Sequence, residues 1–293
     1  ASIVPTSHGE SIVLRLFNRA DQRIDLDALG YDADDLERLR RLESLSHGLV
    51  LVTGPTGSGK TTTLNAILRE LDRERLKVVT IEDPVEYLVE GVQQIQTNEA
   101  IGLTFDAMLR RVLRQDPDVI MVGEIRDPET AELAIRASLT GHLVFATLHT
   151  NDAASAITRL VDMGMKPYLI AAVFRAAVAQ RLVRRVCPAC SQARTATEHE
   201  AAALAEEGLE ARDLVAGRGC DECNHTGYHG RVAIAEIVEA TPEIEHLILS
   251  GADRRDIAQA AVERGASLML RDGYRKALRG VTTIEDVQRA VGL

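Results

Sequence analysis

Four short apolar runs mark the first half of the chain: Leu49–Val52, Val78–Ile81, Val119–Val122 and Leu143–Thr147. Each has the length of a strand and none alternates with polar residues. That is the pattern of strands covered on both faces, as in a parallel sheet. Helical stretches lie between them, at Thr61–Leu71, Phe105–Leu113 and Pro128–Leu139. Strand and helix in alternation predict an α/β core with a mainly parallel sheet. Downstream, residues 153–186 read as helices with a turn at Gly164–Pro167, residues 198–212 as a solvated Ala/Glu-rich helix, and the chain beyond 240 as helical. Thr282-Thr-Ile-Glu285 has the spacing of a capping box, in which a hydroxyl and a carboxylate satisfy the first free amides of a helix. Upstream, residues 11–16 read as a strand after a turn at His8–Gly9. A single strand is no domain, so this one either ends a preceding module or adds an edge to the core. Leu36, Leu39 and Leu42 then recur at helical spacing at the end of a charged stretch, 20–43.

At 293 residues the chain has room for about two domains. Hydrophobic residues at 45% and charged residues at 27% fit a soluble globular protein rather than a disordered one. No apolar run reaches the ~18 residues of a membrane span, and no signal peptide opens the sequence. The start, Ala-Ser-Ile without Met, reads as the beginning of a piece of a longer chain. With 44 acidic against 34 basic side chains, the formal charge of -10 disfavours broad attraction to nucleic acid or anionic lipid. Five Tyr, four Phe and no Trp make a poor platform for stacking bases.

The sharpest motif is Gly54-Pro55-Thr56-Gly57-Ser58-Gly59-Lys60-Thr61-Thr62, which fits G-x-x-x-x-G-K-[ST] and stands between a predicted strand and a predicted helix. Glycines let the backbone wrap tightly and turn its N–H groups toward phosphate oxygens. The helix start adds positive potential. In such loops the Lys, here Lys60, neutralises the β and γ phosphates of a nucleotide, and the following hydroxyl, here Thr61, ligates Mg²⁺. These residues, Gly54 to Thr62, are the expected cradle for ATP and Mg²⁺.

Acids follow two of the predicted strands. After Val119–Val122 come Gly123 and Glu124. An Asp usually ends this strand in phosphate-loop proteins and holds Mg²⁺ through water, so a glycine here leaves Mg²⁺ chiefly to Thr61, phosphate and water. Glu124 becomes the candidate to orient or deprotonate the attacking water. After Val78–Ile81 come Glu82 and Asp83, candidates for a Mg²⁺-bound water or for the nucleophile, and Glu86, read as a solvated acid. His149 ends the last predicted strand and could sense the γ-phosphate, whereas a lone His is more often structural; His142 starts that strand and carries less weight. Arg110 and Arg114 are four residues apart on a helix, either a solvated stripe or charges for the transferring phosphate at a subunit boundary.

All four cysteines fall in two C-x-x-C pairs, Cys187/Cys190 and Cys220/Cys223, separated by 29 residues. Four thiolates suit tetrahedral Zn²⁺ in a closed structural site. The gap exceeds the roughly 15–20 residues usual for such knuckles. A redox pair and unliganded thiols are the rivals, and His225 and His229 are close enough in sequence to be alternative ligands.

In this order the motifs closely resemble the secretion and type IV pilus (traffic) ATPase superfamily, over nearly the whole chain. Most specific are Gly54–Thr63, Thr80–Tyr87, Leu113–Asp127 and Thr140–Asn151. The retraction branch generally lacks the tetracysteine segment, so its presence, with Gly-Cys-Asp-Glu-Cys-Asn-His-Thr-Gly-Tyr-His-Gly-Arg231, looks like the secretion and pilus-assembly branch, type II secretion foremost. The resemblance implies a RecA-like phosphate-loop core at 44–186, preceded by the tail of an N-terminal module (1–19) and a linker (20–43). It implies a zinc segment at 187–231 and a C-terminal helical segment at 232–293. It implies hydrolysis of ATP by a homo-hexamer at the cytoplasmic face of the inner membrane, working on the membrane platform of a secretion system to assemble a pseudopilus. Type IV pilus assembly is the nearest alternative and a DNA-transfer or uptake motor the next. For the site it implies Glu124 as catalytic with Glu82 and His149 assisting, Arg110 and Arg114 needed for hydrolysis, and Arg15 reaching toward nucleotide. The glycine at 123 is itself a trait of the family.

Overall fold

Two short strands, β1 (Ser2–Thr6) and β2 (Gly9–Val13), open the chain as an antiparallel hairpin. Its turn is closed by the Thr6 hydroxyl donating to the Gly9 carbonyl at 2.7 Å, and Gly9 takes a positive φ of 123°. The computed structural model describes residues 2–14, 25–211 and 213–292. Arg15, and the end of the strand expected at 11–16, lie outside the described residues.

The leucine spacing of the charged stretch resolves into α1 (Ala33–Glu43), which buries Leu39 and Leu42. The core follows, strand and helix alternating except that β5 comes directly after β4: β3 (Gly48–Thr53), α2 (Lys60–Glu70), β4 (Val78–Glu82), β5 (Gln93–Gln96), α3 (Phe105–Val112), β6 (Val119–Val122), α4 (Pro128–Leu139) and β7 (Leu143–Leu148). Then come α5 (Ala153–Asp162), α6 (Pro167–Val173), β8 (Phe174–Val186), β9 (Ser191–Arg194), α7 (Glu198–Glu206), β10 (Leu214–Gly217) and β11 (Tyr228–Glu239). Four helices close the chain: α8 (Pro242–Ser250), α9 (Arg254–Glu263), α10 (Met269–Leu278) and α11 (Ile284–Val291). Among the described residues, none of these helices is long and apolar enough to cross a membrane.

Seven strands form one sheet in the order β11-β8-β3-β7-β6-β4-β5. All neighbours run parallel except β11, which pairs antiparallel with β8. Strand side chains alternate between two cores. Leu49 and Leu51 pack with α3, α4 and α5 on one face, while Val50 and Val52 pack with α1 and α2 on the other. Both faces are thus covered, which is why the strands read as unbroken apolar runs.

Helix starts fix the loops near the sheet's C-terminal edge. Asp127 caps α4 by accepting from Thr130 N at 2.7 Å, and Asp152 caps α5 by accepting from Ser155 N at 2.7 Å; such caps each contribute about 1 kcal/mol. Glu236 of β11 does this twice from one buried carboxylate, taking Ala153 N at 2.7 Å and Met269 N at 3.1 Å. It joins the first turns of α5 and α10 to the sheet.

Several expectations change. The helical reading of 153–186 holds only to Val173; Phe174–Val186 is a strand, and its small residues Ala176, Ala177 and Ala179 are fully buried between β3 and β11. An apolar run buried on both faces carries no period to separate strand from helix. The expected boundary between 231 and 232 falls inside β11, so the part of the chain read as purely helical begins with a strand of the main sheet. The helix start near Thr282 is capped one residue later than its spacing suggested. Thr283 accepts from Asp286 N, while the Thr282 hydroxyl donates to the Arg184 carbonyl.

Candidate functional site

A cleft of 640 Å³ opens at the C-terminal edge of the parallel strands, the edge where open α/β sheets bind ligands. The loop after β3 forms its floor. Gly54, Gly57 and Gly59 hold φ values of 144°, 80° and 90°, which glycine alone adopts without strain. Gly59 is also the residue before the first turn of α2, so Lys60 and Thr61 begin that helix at the cleft. Lys60 Nζ donates back to the carbonyls of Gly54 (2.7 Å) and Pro55 (3.1 Å). Burial lowers its pKa, opposed by the nearby Glu124 charge.

Glu124 faces the loop from the end of β6. Its Oε2 accepts from Arg126 Nε at 2.6 Å and its Oε1 lies 3.0 Å from His149 Nε2. Arg126 in turn reaches Asp83 at 3.3 Å and Glu99 at 3.9 Å, with its guanidinium 5.7 Å from the Phe105 ring centroid. Gly123 has a steric reason. A Cβ there would come 2.9 Å from the Ile81 carbonyl, whose oxygen already accepts Gly123 N at 2.7 Å. The carboxylate of this strand end is therefore displaced to 124.

Glu82 ends β4 and is only 2% exposed. Burial raises its pKa, opposed by hydrogen bonds from Gln94 and Thr80. Those two donors occupy Oε1, at 2.8 Å and 2.7 Å, and leave the buried Oε2 without a partner among the described residues. An unpaired carboxylate oxygen and the Thr61 hydroxyl, both on the cleft, are the hard oxygen donors a Mg²⁺ ion or its bound water takes.

The second cluster lies where β8 ends and β11 begins. The four cysteine sulfurs lie within 4.8 Å of one another. Sγ–Sγ separations are 3.9 Å for Cys187–Cys220, 3.9 Å for Cys190–Cys223 and 3.7 Å for Cys220–Cys223. A ZnS₄ tetrahedron with bonds of about 2.3 Å has edges of about 3.8 Å, whereas a disulfide needs about 2.05 Å. Backbone amides of Cys220 (3.2 Å) and Gly227 (3.3 Å) point at Cys223 Sγ, a surrounding that favours thiolate. His225 turns to Asp221 and His229 to the Glu222 carbonyl, so the four sulfurs form the cluster without them.

A family model described as "Type II/IV secretion system protein" matches residues 1–289. The chain belongs to this family. It is 49% identical over 288 residues to "Type II secretion system protein HxcR" of Pseudomonas aeruginosa, covering 98% of this chain and 58% of the relative. It is 43% identical over 289 residues to "Type IV pilus assembly ATPase PilB" of Myxococcus xanthus, covering 98% and 51%. The chain thus spans just over half the length of these relatives. Among solved structures, that of the "Pilus Retraction Motor PilT and Bound ADP" aligns with a TM-score of 0.68 at 29% identity, covering 93% of this chain and 68% of that one. The fold is the RecA-like phosphate-loop core of these ATPases, with the tetracysteine segment added.

The structure brings Lys60, Thr61, Thr62, Glu82, Glu124 and His149 to one cleft and leaves Arg110 and Arg114 out of it; the helix expected to carry both ends at Val112. Arg110 is exposed and 3.6 Å from Asp106; Arg114 is exposed in the turn after the helix. His142 stands at the opposite edge of the sheet, its Nδ1 2.8 Å from the Ala137 carbonyl, a structural contact. Arg126 escaped the sequence reading. Its place two residues after Glu124 was the only available signal, because its partners Asp83 and Glu99 come from distant segments.

Proposed function

We propose that this chain is the ATP-hydrolysing core of a motor that powers type II protein secretion. One observation carries the reading: Glu124, held between His149 and Arg126, faces the Lys60–Thr61 end of the phosphate loop across a single cleft. The loop amides and Lys60 bind the phosphates, and Lys60 must leave the Gly54 and Pro55 carbonyls to do so. Glu124 orients a water and takes its proton as the water oxygen attacks the γ-phosphorus and the bond to the ADP oxygen breaks. His149 and Arg126 keep that carboxylate aimed. Mg²⁺, held by Thr61 and through water by Glu82, would neutralise charge on the phosphates. Zn²⁺ on Cys187, Cys190, Cys220 and Cys223 would be structural, with no open position for chemistry.

As a whole, the protein is proposed to act as a homo-hexamer at the cytoplasmic face of the inner membrane. Its partners are the platform proteins on which a pseudopilus assembles, without direct contact to nucleic acid. Pilus assembly is the second reading, because pilus-assembly ATPases align over the same span of this chain. Pilin or pseudopilin genes beside this one would separate the two. The chemistry is tested by Lys60→Ala, expected to lose ATP affinity, against Glu124→Gln, expected to bind ATP and lose turnover. Titration with ATP that finds both variants equally weakened would overturn the assignment of roles.

A further inference from the structure

Gln180 is 1% exposed, a polar amide among the otherwise apolar buried positions of β8, and no part of the phosphate-loop motif accounts for it. It sits where β8 parts from β3: Ala179 pairs with Thr53, so Gln180 comes beside Gly54. The fit is close. A Cβ at Gly54 would meet the Gln180 carbonyl at 2.4 Å, and one at Gly59 would meet Gln180 Nε2 at 3.1 Å.

Every side-chain atom able to hydrogen-bond is engaged. Gln180 Nε2 donates to the Ser58 carbonyl at 2.8 Å, inside the phosphate loop. Gln180 Oε1 accepts from the Tyr31 hydroxyl at 2.7 Å. That hydroxyl is also 3.2 Å from Thr63 Oγ1, on the first turns of α2. A loop that binds phosphate through N–H groups must turn its carbonyls the other way. Within one planar trans peptide the Ser58 carbonyl and the Gly59 N–H point in opposite directions. Holding the Ser58 oxygen from behind therefore aims the Gly59 N–H, and Gly59 lines the cleft. Tyr31 comes from the segment ahead of α1, so the strut ends outside the sheet.

We propose that Gln180 is a positioning residue for the phosphate loop, with Tyr31 as its support, so that nucleotide affinity depends on how the Tyr31 segment seats against α2. The inference rests on reading the cleft as an ATP site. Gln180→Leu keeps the bulk and leaves the Ser58 carbonyl buried without a donor. It should raise the dissociation constant of a non-hydrolysable ATP analogue about tenfold, the scale of one lost buried hydrogen bond. Tyr31→Phe keeps the ring and loses the hydroxyl, and should raise it about threefold. At saturating ATP both should turn over within about twofold of the parent, because Glu124 and His149 are untouched. The double variant should match Gln180→Leu alone, since Tyr31 acts through Gln180.

The experiment is analogue binding by calorimetry with KM and kcat for each variant of the full chain, beside thermal melts without nucleotide. Weakened binding with kcat kept, and a non-additive double variant, support the strut. Lowered melting temperatures with unchanged binding would mean a purely structural role and overturn it. Should Gln180→Leu fail to fold, Tyr31→Phe decides alone, and unchanged affinity in that variant overturns the proposal. A parent chain that binds no analogue overturns the reading of the cleft and the strut with it; a parent and variants that bind equally overturn the strut alone.

Discussion

Asp35, on the first turn of α1, is buried beside Asp272 and Lys276 of α10, with Arg38 3.6 Å away and Asp32 just before the helix. Burial, then the Asp272 charge, push its carboxyl up to about 6; Arg38 and Lys276 oppose the shift. The folded chain therefore holds a proton on Asp35 up to about pH 6, while the unfolded chain releases it near the ordinary carboxylate value. Between those values the native state binds more protons, so stability falls as pH rises through the window and the full penalty is present above it. Asp35→Asn removes the titration. Its effect on stability should be more favourable at pH 8 than at pH 5 by on the order of 1 kcal/mol, after allowing for solvent screening. Urea unfolding at the two pH values measures the difference, and an equal effect at both would contradict the assignment. Asp35 was legible in the sequence only as one more charge of the linker. Its burial depends on α10, more than two hundred residues away, and no local pattern announces that. The cleft divides the same way. Lys60 and Thr61 follow from a contiguous motif, whereas the grip of Arg126 and Gln180 on neighbouring groups exists only once separate strands are side by side.

At the scale of elements, legibility followed burial geometry. The central strands and the helices between them were readable because unbroken apolar runs alternate with helical spacing. Three strands of the main sheet were not. β5 is Gln-Gln-Ile-Gln at the edge of the sheet, half exposed and nearly all polar, so it lacks the apolar signal. The alanine-rich start of β8 fits a buried helix as well as a buried strand, and β11 was cut in two by the boundary drawn after Arg231. Those last two strands carry the tetracysteine cluster at their joined ends. Cys187 follows β8 directly, its N–H donating to the Gly227 carbonyl at 2.9 Å, and Tyr228 opens β11 with its ring 3.8 Å from the Arg184 guanidinium. Structural zinc can supply about 10–16 kcal/mol of apparent binding energy to local folding. Cys220→Ser should therefore loosen the segment around 187–227 and leave the phosphate loop able to bind nucleotide, because Gly54–Thr61 are anchored on β3 and α2. Elemental analysis should find one zinc per parent chain, and hydrogen exchange should show faster exchange confined to the cysteine segment of the variant. Metal-free protein from a chelator-free preparation would refute the zinc assignment.

At the scale of the whole molecule, the cleft has a phosphate-loop cradle, the carboxylate proposed as base and oxygen donors for a cation, and two guanidiniums line it: Arg126, paired with Glu124 and Asp83, and the exposed Arg231 of β11. Transferring phosphate needs positive charge that is free to meet it. The arginines that the family resemblance assigns to hydrolysis, Arg110 and Arg114, are exposed at the end of α3 and away from this cleft. The head-to-tail ring proposed above would resolve the mismatch, because a heterologous interface brings one copy's exposed residues to a different surface of the next. Turnover per chain should then rise with protein concentration by mass action. Subunit mixing gives a sharper reading. Arg110→Ala keeps Lys60, and Lys60→Ala keeps Arg110; each alone should be inactive. In a random equal mixture about a quarter of head-to-tail interfaces would join an intact Lys60 to an intact Arg110, so the mixture should recover activity that neither variant has. No recovery on mixing, together with flat activity per chain over about a hundredfold dilution of a species that sediments as monomer, would place the whole site within one subunit. Arg110 and Arg114 would then belong to the solvated surface.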